Sequence, residues 1–125
     1  MTPETIAKLR QIAKLTRLRA EAELARIRAA EIRRAAAQEV ARAVRACEAR
    51  SLHDGGDLLA FAMREDMRAK AQVTAMETAS RAEVERNKAA ISLGRARGRE
   101  DVLTDMEQAA RSAVQRETER RQEME

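Results

Sequence analysis

The sequence predicts an all-α protein: a long two-helix antiparallel coiled-coil hairpin with a C-terminal helical overhang. Charged residues make up 37% of the 125 residues, and Phe61 is the only aromatic residue. This composition is typical of long helices and coiled coils, which do not need a broad aromatic core. One proline and four glycines leave long stretches without a helix breaker. Apolar residues also recur at alternating three- and four-residue steps, the spacing of a lengthwise helix seam.

The first helix is predicted from about residue 3 to about residue 51. Thr2 can cap the first free N–H groups, Pro3 suits the first helical position, and Glu4 lies favourably at the positive end of the helix dipole. No further proline or glycine occurs before Gly55. An uninterrupted helix is therefore expected up to the turn.

The turn is predicted at residues 52–57. Gly55 and Gly56 permit left-handed backbone dihedrals, and Asp57 can cap the helix that follows. The second helix is expected over about 57–120, with an overhang beyond Glu107 and a frayed tail at 118–125. The whole chain, 1–125, is then a single helical hairpin domain.

A chain that reverses at Gly55 should place residues whose numbers sum to about 110 at the same level. On this register Ile12 and Leu15 lie beside Gly94 and Gly98, which would give those helix-interior glycines a packing role. The apolar spacing selects the following seam: Leu15, Leu18, Ala22, Ala25, Ala29, Ile32, Ala36, Val40, Ala43 and Cys47 in the first helix, and Leu59, Ala62, Ala69, Val73, Met76, Ile91, Val102, Met106, Ala110 and Ala113 in the second.

The chain lacks the residues that most catalytic or metal sites require. His53 is the only histidine and Cys47 the only cysteine, so neither a histidine-pair metal site nor a conventional triad can be built. The carboxylates are interleaved with arginines, as on solvated helix faces. We therefore predict a non-enzymatic protein with no cofactor and no metal. The amino terminus has no apolar run of a signal peptide or membrane span, so a cytoplasmic protein without membrane insertion is expected.

Two stretches are candidate partner-binding sites. Residues 58–67 carry more large apolar side chains, including Phe61 and Met63, than a two-helix seam can accept. This patch is either exposed for a partner or packed at the turn. Arg95, Arg97 and Arg99 are either solvated surface or a contact for an acidic partner or a phosphate backbone.

The layout resembles the FliJ/YscO family, the small coiled-coil components of flagellar and virulence type III export machines. The resemblance lies in the leucine- and arginine-rich first helix, the Phe-Ala-Met-Arg opening of the second at residues 61–64, and the arginine-rich stretch at 93–103. It implies a cytoplasmic coiled-coil stalk or chaperone protein, reaching the inner membrane only through partners. Those partners are the export ATPase ring, the export-gate membrane protein and export chaperones. The gate contact carries over to Phe61, with Arg64, Glu65 and Arg68 matched by location.

The leading functional hypothesis is thus a non-catalytic adaptor or stalk protein of a type III export apparatus, acting as a monomer or weak homodimer. One rival is a nucleic-acid-binding basic helical arm, because residues 1–50 carry 12 Lys/Arg against 6 Asp/Glu. The lack of aromatic platforms for stacking bases disfavours this rival. Another rival is a purely structural coiled-coil dimer.

Overall fold

The computed structural model describes the whole chain, Met1–Glu125, and contains two helices and no strand. Helix α1 spans Pro3–His53 and helix α2 spans Leu58–Met124. The two helices pack against each other as an all-α helical hairpin. Neither helix contains an apolar stretch of the length that crossing a membrane requires.

Helix α1 begins and ends with local hydrogen bonds that the sequence predicts. The Thr5 N–H donates to Thr2 Oγ1 at 3.3 Å, which makes Thr2 the cap. At the other end, the Gly56 N–H donates to the Ser51 carbonyl at 3.0 Å and the Gly55 N–H to the Leu52 carbonyl at 3.3 Å. This pair of bonds is the Schellman motif, and Gly55 adopts the left-handed φ of 89° that the motif requires.

Helix α2 begins at an aspartate cap. Asp57 Oδ1 accepts hydrogen bonds from the N–H groups of Leu59 and Ala60, at 3.0 and 3.2 Å. Gly55 and Asp57 therefore have the roles in the turn that the sequence predicts, and α1 ends at His53. The far end of α2 continues to Met124. The expected frayed tail is helical, since no helix breaker occurs there and Arg121 pairs with Glu117 one turn away at 2.6 Å.

Contacts divide the chain into two compact units. The terminal unit comprises Met1–Leu24 with Lys88–Glu125, and the turn unit comprises Ala25–Asn87. In each unit a segment of α1 packs against a segment of α2 in the antiparallel sense.

The seam of the terminal unit combines small apolar residues with ion pairs. Arg10 Nη1 lies 2.5 Å from Glu107 Oε2, and Arg17 pairs with Glu100. Glu107, one of the most buried residues at 4% exposure, contacts Arg111 as well, at 2.6 Å. The buried residues of this seam are Ile6, Ala13, Leu24, Leu93, Ala96 and Glu107.

The seam of the turn unit is thinner. Ile27 and Ala82 are its only buried residues. Arg86 Nη1 reaches Glu31 Oε2 at 3.5 Å, and Arg45 pairs with Glu65. Ion pairs between the helices thus accompany very little apolar burial in this unit.

The predicted seam is wrong. Every residue named for it in α1 is exposed, and in α2 only Ala110 is even half-buried. A second stripe with the same three- and four-residue spacing forms the seam instead, and it includes charged positions such as Arg17 and Glu31. Arginine stems can lie along an apolar contact while their charged groups pair across it. Apolar spacing alone does not identify this stripe, because charged residues occupy several of its positions.

The register away from the turn differs from the predicted one. The pairs Arg10–Glu107, Arg17–Glu100 and Glu31–Arg86 each sum to 117 in residue number, one heptad beyond the expected 110. Consequently Glu107 is still within the seam, and uniform exposure of α2 begins only at Arg111. The overhang is therefore shorter than predicted. Nearer the turn, the pair Arg45–Glu65 sums to 110, as predicted.

Candidate protein-interaction surfaces

Three of the predicted partner-binding residues at the start of α2 take part in ion pairs between the helices. Arg45 donates two hydrogen bonds to the Glu65 carboxylate, at 2.9 and 3.0 Å. Arg68 bonds both Glu65 and Glu48, and Arg64 lies 3.3 Å from Glu48. The hydrogen bond from Arg68 lowers the pKa of Glu48, and the one from Arg45 lowers the pKa of Glu65. Arg64, Glu65 and Arg68 therefore contribute to holding the turn unit together.

The apolar side chains at the start of α2 point away from the seam. Leu59, Met63 and Met67 follow one another at i, i+4 and i+8, so they lie on one face of the helix. Each is between 63% and 71% exposed. We call this set the Leu-Met stripe. Methionines adapt to irregular surfaces, and a contiguous exposed apolar stripe is a feature of protein-binding helices.

Phe61 lies on a different face from the Leu-Met stripe. It is half-buried and lines a recess of about 270 Å³ together with Arg42, Arg45, Ala46 and Ala49 of α1. Its ring is therefore partly packed against α1 and partly exposed to solvent. Of the two predicted patch residues, Met63 is more exposed than Phe61. Leu59 and Met67 lie within the candidate stretch 58–67, and the structure shows that they are exposed together with Met63.

The terminal unit contains an apolar groove that is larger than the recess beside Phe61. We call it the terminal groove. Its volume is about 750 Å³. Leu9 and Ile12 of α1 face Val102 and Leu103 of α2 across it. The residues that line it are Leu9, Ile12, Ala13, Thr16, Arg95, Ala96, Gly98, Arg99, Val102 and Leu103. The sequence analysis did not identify this groove, because it assigned Val102 to the seam.

The three arginines at 95, 97 and 99 have different surroundings. Arg97 Nη2 lies 3.4 Å from Glu21 Oε1, across the seam. Arg95 and Arg99 line the terminal groove and a smaller adjoining recess, which also includes Lys88. No carboxylate lines either cavity. Arg95 and Arg99 are thus the two arginines of the predicted trio that remain available to a partner.

The remaining reactive side chains do not form a constellation. His53 and Cys47 are both exposed, and Cys47 Sγ accepts a hydrogen bond from Arg50 at 3.6 Å. No group of three or more His, Cys, Asp or Glu side chains is arranged to hold a metal ion. The Leu-Met stripe and the terminal groove are two surfaces that can engage another molecule.

No protein family, curated protein or solved structure shows significant similarity to this chain. The fold defines the class as an all-α helical hairpin.

Proposed function

We propose that this chain is a non-catalytic coiled-coil adaptor of a protein export apparatus, which binds protein partners through the Leu-Met stripe of α2. The observation that carries the proposal is the exposure of Leu59, Met63 and Met67 on one helix face. The helix that presents them is attached to α1 by the Arg45–Glu65 and Arg68–Glu48 pairs. Such a surface is available to a partner without a change of fold. In most interfaces a few large, central side chains provide most of the binding free energy.

The export partners enter through the resemblance to the FliJ/YscO family. On that basis the export ATPase and the export-gate protein are the first partners to test, and the start of α2 is the expected gate contact. Phe61 contributes to this contact only through its exposed part. Its truncation also removes packing against α1, which makes the fully outward Leu59 and Met63 the better test positions.

The test replaces Leu59 and Met63 together by glutamate and measures capture of the export-gate cytoplasmic domain and the export ATPase. Two charges in an apolar contact should reduce the capture by more than about tenfold. The Val40→Glu and Val44→Glu double variant is the matched control, because these two apolar residues are also exposed and four residues apart but lie on α1. It should leave the capture unchanged. Circular dichroism should show unchanged helicity for both variants.

Undiminished capture by the Leu59→Glu and Met63→Glu double variant would rule out the Leu-Met stripe as the contact. Absence of capture by the natural chain would rule out the export partners. Binding to nucleic acid that weakens steeply, by about 10³-fold or more between 50 and 200 mM salt, would instead support a basic arm.

A further inference from the structure

The terminal groove contains a glycine that has no role in the packing of its own chain. Gly98 lies in the interior of α2, where glycine is less favourable than alanine. A Cβ atom built at Gly98 would meet no atom within 4 Å. As predicted, Ile12 lies near Gly98, since both line the groove, but neither Gly94 nor Gly98 has the expected packing contact with α1. The missing side chain leaves open space beside the groove.

The walls of the groove suit the apolar face of a helix. Ile12 and Val102, on opposite sides, are 60% and 58% exposed. Beside Gly98 the backbone of α2 is accessible, so a second backbone can approach more closely there than at any residue with a side chain. Close approach of this kind allows two helices to pack through short side chains.

The charged side chains that line the groove and its adjoining recess are all positive. Lys88, Arg95 and Arg99 line the groove and its adjoining recess, none of them takes part in an ion pair, and no carboxylate lies among the lining residues. Elsewhere in the terminal unit, Arg10, Arg17 and Arg97 each pair with a glutamate of the other helix. The unpaired cations favour a partner that carries acidic residues beside its apolar face.

We propose that the terminal groove binds an amphipathic helix of another protein, whose apolar face is flanked by aspartate or glutamate. A second copy of this chain fits less well, because a two-fold contact through the groove brings Arg95 and Arg99 of both copies together. The site is separate from the Leu-Met stripe, so it adds a second partner surface to the proposed adaptor. Its existence does not depend on the export assignment.

The experiment uses two fluorescent three-heptad helical peptides with the same leucine and alanine face, one flanked by glutamates and the other by lysines. Anisotropy titrations with the full chain should show at least about tenfold tighter binding of the glutamate peptide. The Arg95→Glu and Arg99→Glu double variant should reverse this preference. Equal affinity for the two peptides, or no binding of either, would overturn the proposal.

The glycines provide a matched pair of variants. Gly98→Ala should weaken binding of the glutamate peptide by about tenfold, because the added methyl group overpacks the contact. Gly94→Ala, which lies outside the groove lining and also in open space, should leave the affinity unchanged. Both variants should raise the melting temperature, since alanine favours the helix, so weaker binding cannot be due to unfolding. Equal binding by the two variants would show that Gly98 is not at the contact.

Two further outcomes would assign the groove to another occupant. Light scattering that shows a dimer, lost in Gly98→Ala but not in Gly94→Ala, would identify a second copy. A duplex DNA oligonucleotide that displaces the glutamate peptide at moderate salt would identify a phosphate backbone. The Leu59→Glu and Met63→Glu double variant should bind the peptide normally, which separates this proposal from the proposed function.

Discussion

At the scale of single residues, the structure assigns opposite effects to the two pairs of glycines. Gly55 has a left-handed φ of 89°, and its N–H donates to the carbonyl of Leu52. A Cβ at Gly56 would lie 2.9 Å from the Ser51 carbonyl oxygen. Gly94 and Gly98, in contrast, lie in regular helix with open space around them. The first two glycines are needed by the turn, and the other two are not needed by the fold.

The glycine contrast predicts stability changes of opposite sign. Gly55→Ala should lower the free energy of unfolding by about 1–2 kcal/mol, because an L-residue is strained in the left-handed region. Gly94→Ala should raise it by up to about 1 kcal/mol. Urea denaturation followed by circular dichroism measures both changes. A Gly55→Ala variant as stable as the natural chain would contradict the assigned turn.

At the scale of elements, the structure shows which face of each helix is the seam. Helix α1 carries two stripes with coiled-coil spacing. One includes Ile6, Leu24 and Ile27, and the other includes Leu18 and Ile32. The first stripe is buried because its charged members find partners on α2, among them Arg17 with Glu100. The second stripe consequently faces outward, which leaves apolar residues available to partners.

The choice of seam predicts different costs for two isoleucine truncations in the turn unit. Ile27→Ala should lower the free energy of unfolding by about 2–4 kcal/mol, since Ile27 is 4% exposed. Ile32→Ala should change it by less than about 0.5 kcal/mol, because Ile32 is 70% exposed. Urea denaturation of the two variants provides the measurement. A larger cost for Ile32 would restore the seam predicted from spacing alone.

At the scale of the whole molecule, ion pairs between the helices provide part of the stabilisation that apolar burial provides in most folds. No side chain is less than 2% exposed. The hydrogen bond from Arg10 across the seam lowers the pKa of Glu107. The pKa of Glu21 is lowered first by Arg17, one turn away in α1, and then by Arg97 of α2. The pKa values of Glu48 and Glu65 are lowered as well, by Arg68 and Arg45. The stability of the fold should therefore fall in acid.

The direction of this pH dependence follows from the lowered pKa values. A carboxyl whose pKa is lower in the folded than in the unfolded chain stabilises the fold fully above its unfolded value, about 4.3. That contribution is lost as the pH falls from there through the folded pKa. Protonation also leaves the 25 Lys/Arg charges without balancing carboxylates. The urea midpoint should therefore fall between about pH 5 and pH 2.

A matched variant separates the four glutamates with a lowered pKa from the general charge effect. Replacing Glu21, Glu48, Glu65 and Glu107 by glutamine should lower the urea midpoint at neutral pH and flatten its fall in acid. Replacing four unpaired acidic residues should do neither. A natural chain with the same urea midpoint at pH 3 as at pH 7 would show that the ion pairs do not stabilise the fold.

The sequence by itself determined the helices and the turn, because these depend on interactions between neighbouring residues. The caps at Thr2 and Asp57 and the reversal at Gly55 all occur where the sequence placed them. The seam, the register and the terminal groove were decided only by the tertiary structure. Spacing alone cannot rank two stripes that share it, and the deciding energy comes from pairs such as Arg10–Glu107, whose members lie 97 residues apart in the chain.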